Sequence, residues 1–299
     1  MPLARANRRG IIAVLAATAT FSLSDSIIKA VALKYPVGEA LFARGIMTIV
    51  MVGTVLLAWG HGPALRHGLR GLVCARATLE AFAAILFTSA VIHMPLASLS
   101  TILMASPLIL TVLSVIFFKE MVGWRRWSAI AVGFAGTLFV VKPTPESFNI
   151  WAFLGLICAC TSASRDIITR KLDIGIPAIV ISFMSAVSVT IAGWLLGFGE
   201  TWSRLPFDQL ALLGISAVFL AAGNFFIVLA FRGVDVSLVA PFRYSTLLWT
   251  GLAGYVAFGE IPDRWAFLGA ALIVGSGVYA LHREAVRGRE LTSRVTPGR

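Results

Sequence analysis

Apolar runs alternate with short polar breaks along the whole chain. About 20 apolar residues cross a hydrocarbon core of roughly 30 Å as a helix. Runs of this kind fall at 11–31, 37–58, 69–91, 95–118, 124–141, 149–170, 176–198, 207–231, 236–258 and 264–282. This predicts an all-α membrane protein of ten transmembrane helices. The breaks are short, so successive helices are expected to run antiparallel. Pro36, Pro95, Pro177 and Pro206 stand where helices begin, a position that needs no backbone donor.

The pattern also repeats. Residues 97–120 read ASLSTILMASPLILTVLSVIFFKE, followed by a basic turn and WRRWSAIAVGFAGTLFVVK. About 140 residues later comes VSLVAPFRYSTLLWTGLAGYVAFGE, then a turn and RWAFLGAALIVGSGVYALHR. Ala97 aligns with Ser237, Phe118 with Phe258 and Glu120 with Glu260; after one inserted residue Trp124 aligns with Trp265. Asp25 and Lys29 are echoed by Asp166 and Arg170. Each half holds an odd number of spans, so the two copies enter the membrane from opposite sides. The expected architecture is two inverted five-helix repeats around a central cavity. The expected division is a tail at 1–10, a first repeat at 11–142, a connecting loop at 143–148, a second repeat at 149–282 and a basic tail, polar and disordered, at 283–299.

Composition agrees with the membrane reading. The 299 residues are 58% hydrophobic and 13% charged, and the mean hydropathy is +0.89. A soluble protein cannot hide that much apolar surface. The net charge of +11 does not point to nucleic acid, because the basic residues sit in short loops and tails. With the N-terminus inside, Arg5, Arg8, Arg9, Arg66, Arg70, Lys119, Arg125 and Arg126 fall inside, as do Arg165, Arg170, Lys171, Arg232 and the C-terminal arginines. The outside segments hold only Lys29, Lys34, Lys142, Arg204 and Arg264. That bias places both termini in the cytoplasm of a bacterial-type inner membrane. Arg8 and Arg9 before an apolar run resemble a signal peptide, but the run continues past Asp25 to Ala32 and is read as the first span. Most tryptophans lie near predicted helix ends, as an interfacial ring prefers.

Intramembrane polar groups are functional candidates by default. Asp25 with Lys29, and Asp166 with Arg170, are spaced to share a helix face. They either neutralise each other or form gates at opposite ends. Arg44 reads as an anchor that snorkels or pairs, and Arg76 with Glu80 as another pair. Glu80 is either a paired bundle residue or a proton or amine site. Arg243 is the leading candidate for a substrate carboxylate, because Pro241 frees a carbonyl beside it and Pro107 breaks the corresponding helix. Phe87, Asn224, Phe242, Tyr244 and Trp249 are candidates for an aromatic and amide lining, against packing or lipid contact. Gly223 permits a close helix contact, and the Gly/Ala-rich fifth and tenth helices are candidates for tight packing or a homodimer contact. Cys74, Cys158 and Cys160 lie in apolar runs without metal or disulfide spacing. No cofactor, metal site or catalytic motif is visible, and no enzyme is expected.

The duplicated FFKE (117–120) with WSAIAVGFAG, and FGE (258–260) with WAFLGAALIVGSG, resemble the drug/metabolite transporter superfamily, EamA type. The resemblance covers nearly the whole chain. It implies a cavity lined by the first, third, fourth, sixth, eighth and ninth helices, and transport of a small-molecule substrate. Members similar in pattern include exporters of amino acids, among them aromatic ones, and carriers of S-adenosylmethionine. Glu120 and Glu260 match the motif and read as structural helix-end groups. The expected function is secondary transport by alternating access, with amino-acid export first. A nucleoside-like or S-adenosylmethionine importer or exchanger is the alternative, and a membrane enzyme or structural bundle the remote one. Membrane lipid is the expected surrounding partner.

Overall fold

A computed structural model describes residues 2–119, 124–141, 150–173, 175–231 and 240–295. The order is α1 (Pro2–Ala32), α2 (Val37–Ala58), a 3-10 segment (Gly62–Leu69), α3 (Gly71–Val91), α4 (Leu96–Leu103) and α5 (Ser106–Phe118). Then come α6 (Trp124–Val141), α7 (Ile150–Lys171), α8 (Ala178–Leu196), α9 (Phe207–Phe231), a 3-10 turn (Ala240–Ser245), α10 (Thr246–Phe258) and α11 (Arg264–Val295). Among the described residues, 7 helices are long and apolar enough to cross a membrane, and two shorter apolar helices lie at Trp127–Val141 and Arg264–Tyr279. The connecting loop expected at 143–148 and the last four residues lie outside the described ones.

Two expected tails are helical. The chain is helical from Pro2, and α11 runs on to Val295. The stretch after Arg283 is polar but rich in Arg and Glu, which favour helix, and its first proline is Pro297. Polarity took it out of the membrane without ending the helix.

The fourth apolar run breaks where Pro107 predicts. Pro107 stands in the first turn of α5. It cannot donate to the carbonyl one turn earlier, so α4 closes at Met104 and α5 starts at Ser106. Ser106 Oγ donates to the Ala159 carbonyl of α7 at 3.1 Å, fixing the break against a neighbour.

The helices pack in a definite set of pairs. The main ones are α1 with α9, α3 with α7, α2 with α8, α6 with α11, α3 with α8 and α2 with α9. α1 also meets α10, α5 and α4 meet α7, and α4 meets α10. Small residues set the closest approaches, as expected where dispersion rather than hydrophobic burial holds helices together. A Cβ on Gly193 would lie 2.7 Å from the Phe42 nitrogen and 2.9 Å from the Gly38 oxygen. A Cβ on Gly269 would lie 2.5 Å from the Gly136 oxygen. Gly223 takes the Phe21 ring in the same way. Val50, Leu57, Ile116, Leu248 and Val256 point outward and exposed, an apolar perimeter that suits lipid.

Gly193→Val is expected to lower unfolding stability in detergent by about 1–3 kcal/mol, the usual cost of overpacking a close contact. Gly251→Ala, at a position with nothing within 4 Å, serves as the control and is expected to unfold like the wild type in a thermal or denaturant titration.

Candidate functional site

Three groups of charges within the described helices bear on function. The first lies at the end of the bundle that holds the α1–α2 turn. Lys29, near the end of α1, contacts the Glu260 carboxylate, donates to the Met94 carbonyl at 2.9 Å and lies 4.9 Å from the Phe258 ring. Their side chains are 3% and 17% exposed, so the pair is withdrawn from solvent. The other Glu260 oxygen accepts the Leu96 N–H at 2.8 Å, at the positive start of α4. Gly259 makes this possible. Its φ of +65° turns α10 out of the helix, and the Glu260 N–H then bonds the Gly254 carbonyl at 3.1 Å. Lys119, at the same place in the first copy of the motif, also has a positive φ, 53°. Its neighbour Glu120 lies outside the described residues.

This arrangement corrects two expectations. Lys29 is bonded to Glu260, not to Asp25, and Glu260 is more than a helix-end group: it joins α1, the α3–α4 turn and the end of α10. Spacing along one helix favoured the local partner, but the buried lysine takes the carboxylate that also caps a neighbouring helix.

The second group lies deeper, towards the opposite end. Glu80 of α3 accepts from Arg165 Nη1 of α7 at 3.0 and 3.2 Å and pairs with Arg76 at 3.4 Å. Arg165 also bonds its neighbour Asp166 at 2.9 and 3.0 Å. Arg76 donates to Thr169 at 3.1 Å and to Ser185 of α8. Two cations meet two anions, so the group is neutral as a whole. It ties α3 to α7 and α8. Asp166 pairs with Arg165 here; the side chain of Arg170 lies outside the described residues.

The third group is Asp25 of α1 and Arg44 of α2. Asp25 is seven residues before the end of α1 at Ala32, and Arg44 seven after the start of α2 at Val37. Both therefore sit about 10 Å into their helices from the same turn. The two charges attract one another electrostatically. Among the described residues neither forms a hydrogen bond or an ion pair, and both are half-buried. α1 and α2 pack mainly against other helices, α1 on α9 and α10, α2 on α8 and α9. Asp25, Glu80 and Arg165 are all within electrostatic reach of Cys158 on α7, whose thiol meets the Ala83 carbonyl at 3.3 Å. The third group thus borders the second. Arg44 was a candidate read as an anchor rather than as a binding residue. The signal for a binding role was equal depth: Asp25 and Arg44 lie equally far from the facing ends of α1 and α2.

The other expected lining residues are scattered. Arg243 is exposed in the 3-10 turn, and Tyr244 beside it is buried against Gly277. Ser245 shares a hydrogen bond of 2.8 Å with Thr18 of α1, so this turn is held on α1. Phe242 and Trp249 are partly exposed, and Phe87 packs among core residues of α3, α4 and α7. Asn224 is exposed and donates to its own helix at Leu220, 2.9 Å. The three cysteines are free. The described residues bring Glu80, Asp25 and Arg44 towards one region and place Arg243 on a separate turn.

Comparison with known proteins bears on what such a bundle does. Residues 8–142 match the EamA-like transporter family. An S-adenosylmethionine uptake transporter of Rickettsia felis is 31% identical over 73% of this chain and 72% of its own length. The chain belongs to the EamA-like transporter family. A riboflavin transporter of Vibrio cholerae is 27% identical over 94% of the chain and 95% of its own. One solved crystal structure of a protein shares the fold of this EamA-like transporter at 18% identity, with a TM-score of 0.62 over 93% of this chain and 97% of that one. The protein is accordingly a multi-pass membrane transporter, and its family points away from an enzyme.

Glu80→Gln leaves Arg76 and Arg165 without their shared carboxylate and is expected to cost about 2–4 kcal/mol of unfolding stability. Adding Arg165→Met to it is expected to recover part of that loss, as coupled charges are non-additive. Denaturant unfolding of the single and double variants in detergent checks both.

Proposed function

We propose that this protein is a secondary transporter that carries a small amphoteric metabolite by alternating access, its halves forming inverted repeats of five spans each. The observation that carries the reading is the helix pairing. Exchange α1 for α7, α2 for α8, α3 for α9, α4 and α5 for the 3-10 turn with α10, and α6 for α11. Then α1 with α9 becomes α7 with α3, and α2 with α9 becomes α8 with α3. α2 with α8, α6 with α11 and α4 with α10 map onto themselves. Such a pairing scheme supports two packings of similar energy, one open to each side. The left-handed residues Lys119 and Gly259, each followed by a glutamate, support the same duplication.

In this reading both termini are cytoplasmic in a bacterial inner membrane, following the loop charges. The Lys29–Glu260 group then closes the outer end, and the Arg76–Glu80–Arg165–Asp166 group lies towards the inner end. Energy comes from solute gradients, since no nucleotide-binding motif is present. A gradient-driven carrier works in either direction, so export of amino acids and uptake of S-adenosylmethionine are two uses of one cycle. The second reading is favoured by the Rickettsia felis relative.

Counterflow in proteoliposomes tests the proposal. Vesicles preloaded with amino acids, S-adenosylmethionine or riboflavin are expected to accumulate the matching labelled solute transiently, with saturation. Glu260→Gln leaves Lys29 buried without its carboxylate and is expected to slow exchange at least about tenfold, as a lost charged hydrogen bond of that size implies. Absence of counterflow for every solute would favour a structural bundle, and chemical conversion of a solute an enzyme. Either result removes the transporter cycle proposed here.

A further inference from the structure

We propose that Asp25 and Arg44 together form the head-group site of this transporter, taking the ammonium and the carboxylate of an α-amino-acid group. The inference rests on the transport reading above and adds to it the ligand chemistry and the residues.

Three observations lead there. Asp25 and Arg44 have opposite charges at equal depth on consecutive helices that scarcely pack on one another. They attract one another electrostatically, yet form no ion pair and no hydrogen bond among the described residues. The two other groups described above are tied: Lys29 to Glu260 and Met94, Glu80 to Arg76 and Arg165. A charge inside an apolar bundle is costly unless paired and hydrogen-bonded. Asp25 and Arg44 therefore keep unused hydrogen-bonding capacity.

A zwitterion answers both groups at once. Its carboxylate accepts two parallel bonds from the guanidinium, and its ammonium donates to the Asp25 carboxylate. The inserted group is neutral overall, so the site keeps its net charge on loading. Amino acids and S-adenosylmethionine both carry such a group, whereas riboflavin carries neither a carboxylate nor an ammonium. The site discriminates by head group and leaves the side chain to the surrounding helices, near Cys158 and the Glu80 cluster.

The test is binding and counterflow with the full-length protein in liposomes, using matched probes. These are methionine, its decarboxylated amine, N-acetylmethionine, S-adenosylmethionine, decarboxylated S-adenosylmethionine and riboflavin. Wild type is expected to prefer each amino acid over its modified form by roughly 10- to 100-fold, the range for a hydrogen bond to a charged group. Arg44→Gln is expected to abolish the preference over the decarboxylated probes and to keep that over N-acetylmethionine. Asp25→Asn is expected to do the reverse. Arg44→Lys keeps the charge and is expected to retain part of the carboxylate preference, which separates recognition from folding. Equal loss of all probes in both variants, or collapse of the carboxylate preference in Arg243→Ala instead, would overturn the assignment. Counterflow of riboflavin alone, unchanged in the Asp25 and Arg44 variants, would also overturn it while leaving the transporter reading intact.

Discussion

Charge in an apolar bundle has to be answered by charge, and that constraint organises this structure. Lipid offers no hydration, so an ammonium or carboxylate in a span is tolerated only with a partner. Lys29 finds Glu260 across the fold, and Glu80 finds Arg165. Both bonds join elements distant in sequence. They therefore act as the polar seams of the bundle, and the apolar packing around them need only be close and nondirectional. Hydroxyls follow the same logic on a smaller scale. Thr18, Ser22, Ser26 and Thr48 return their protons to carbonyls one turn back in their own helices.

The two halves retain a shared backbone device and differ in their charges. The Phe–left-handed residue–Glu turn occurs after both α5 and α10, once with Lys119 and once with Gly259. A lysine in that region carries strain of about 1–2 kcal/mol that glycine avoids. The turn is thus kept even where the residue is unfavourable, which argues that the direction it gives the following chain matters. Not every charged side chain repeats in this way. At the spacing that relates Asp25 to Asp166, Arg44 meets Ser185, which accepts a hydrogen bond from Arg76. On the alternating-access cycle proposed above, a shared frame with some unshared charges would let the two halves rock symmetrically and still bind one asymmetric solute.

Much of the fold was legible from hydropathy alone. Among the described residues, seven of the ten expected spans are helices long and apolar enough to cross a membrane, and the break at Pro107 follows from donor loss. The helical ends were not legible, because polarity marks departure from the membrane and says nothing about where a helix stops; Arg and Glu continue it to Val295. The candidate site was legible only in part. Glu80 and Asp25 stand out as intramembrane acids. The partners of Lys29 and Glu80 could not be read, since they are fixed by which helices pack together. Arg243 drew attention through Pro241, a backbone signal, while Arg44 has no such marker and is conspicuous only by its depth beside Asp25.

That contrast bears on where a ligand can bind with useful affinity. A fully paired cluster gains little from an incoming charge, because each new bond displaces an existing one. Lys29–Glu260 and the Glu80 cluster are in that position, which suits them to closing and joining helices. Asp25 and Arg44 are different. They attract one another without a hydrogen bond among the described residues, so a zwitterion bound by both would add bonds without breaking any. It also links α1 to α2, two helices otherwise held by different neighbours. Loading would then pull those helices together, and the binding free energy itself would favour the packing in which the site is enclosed.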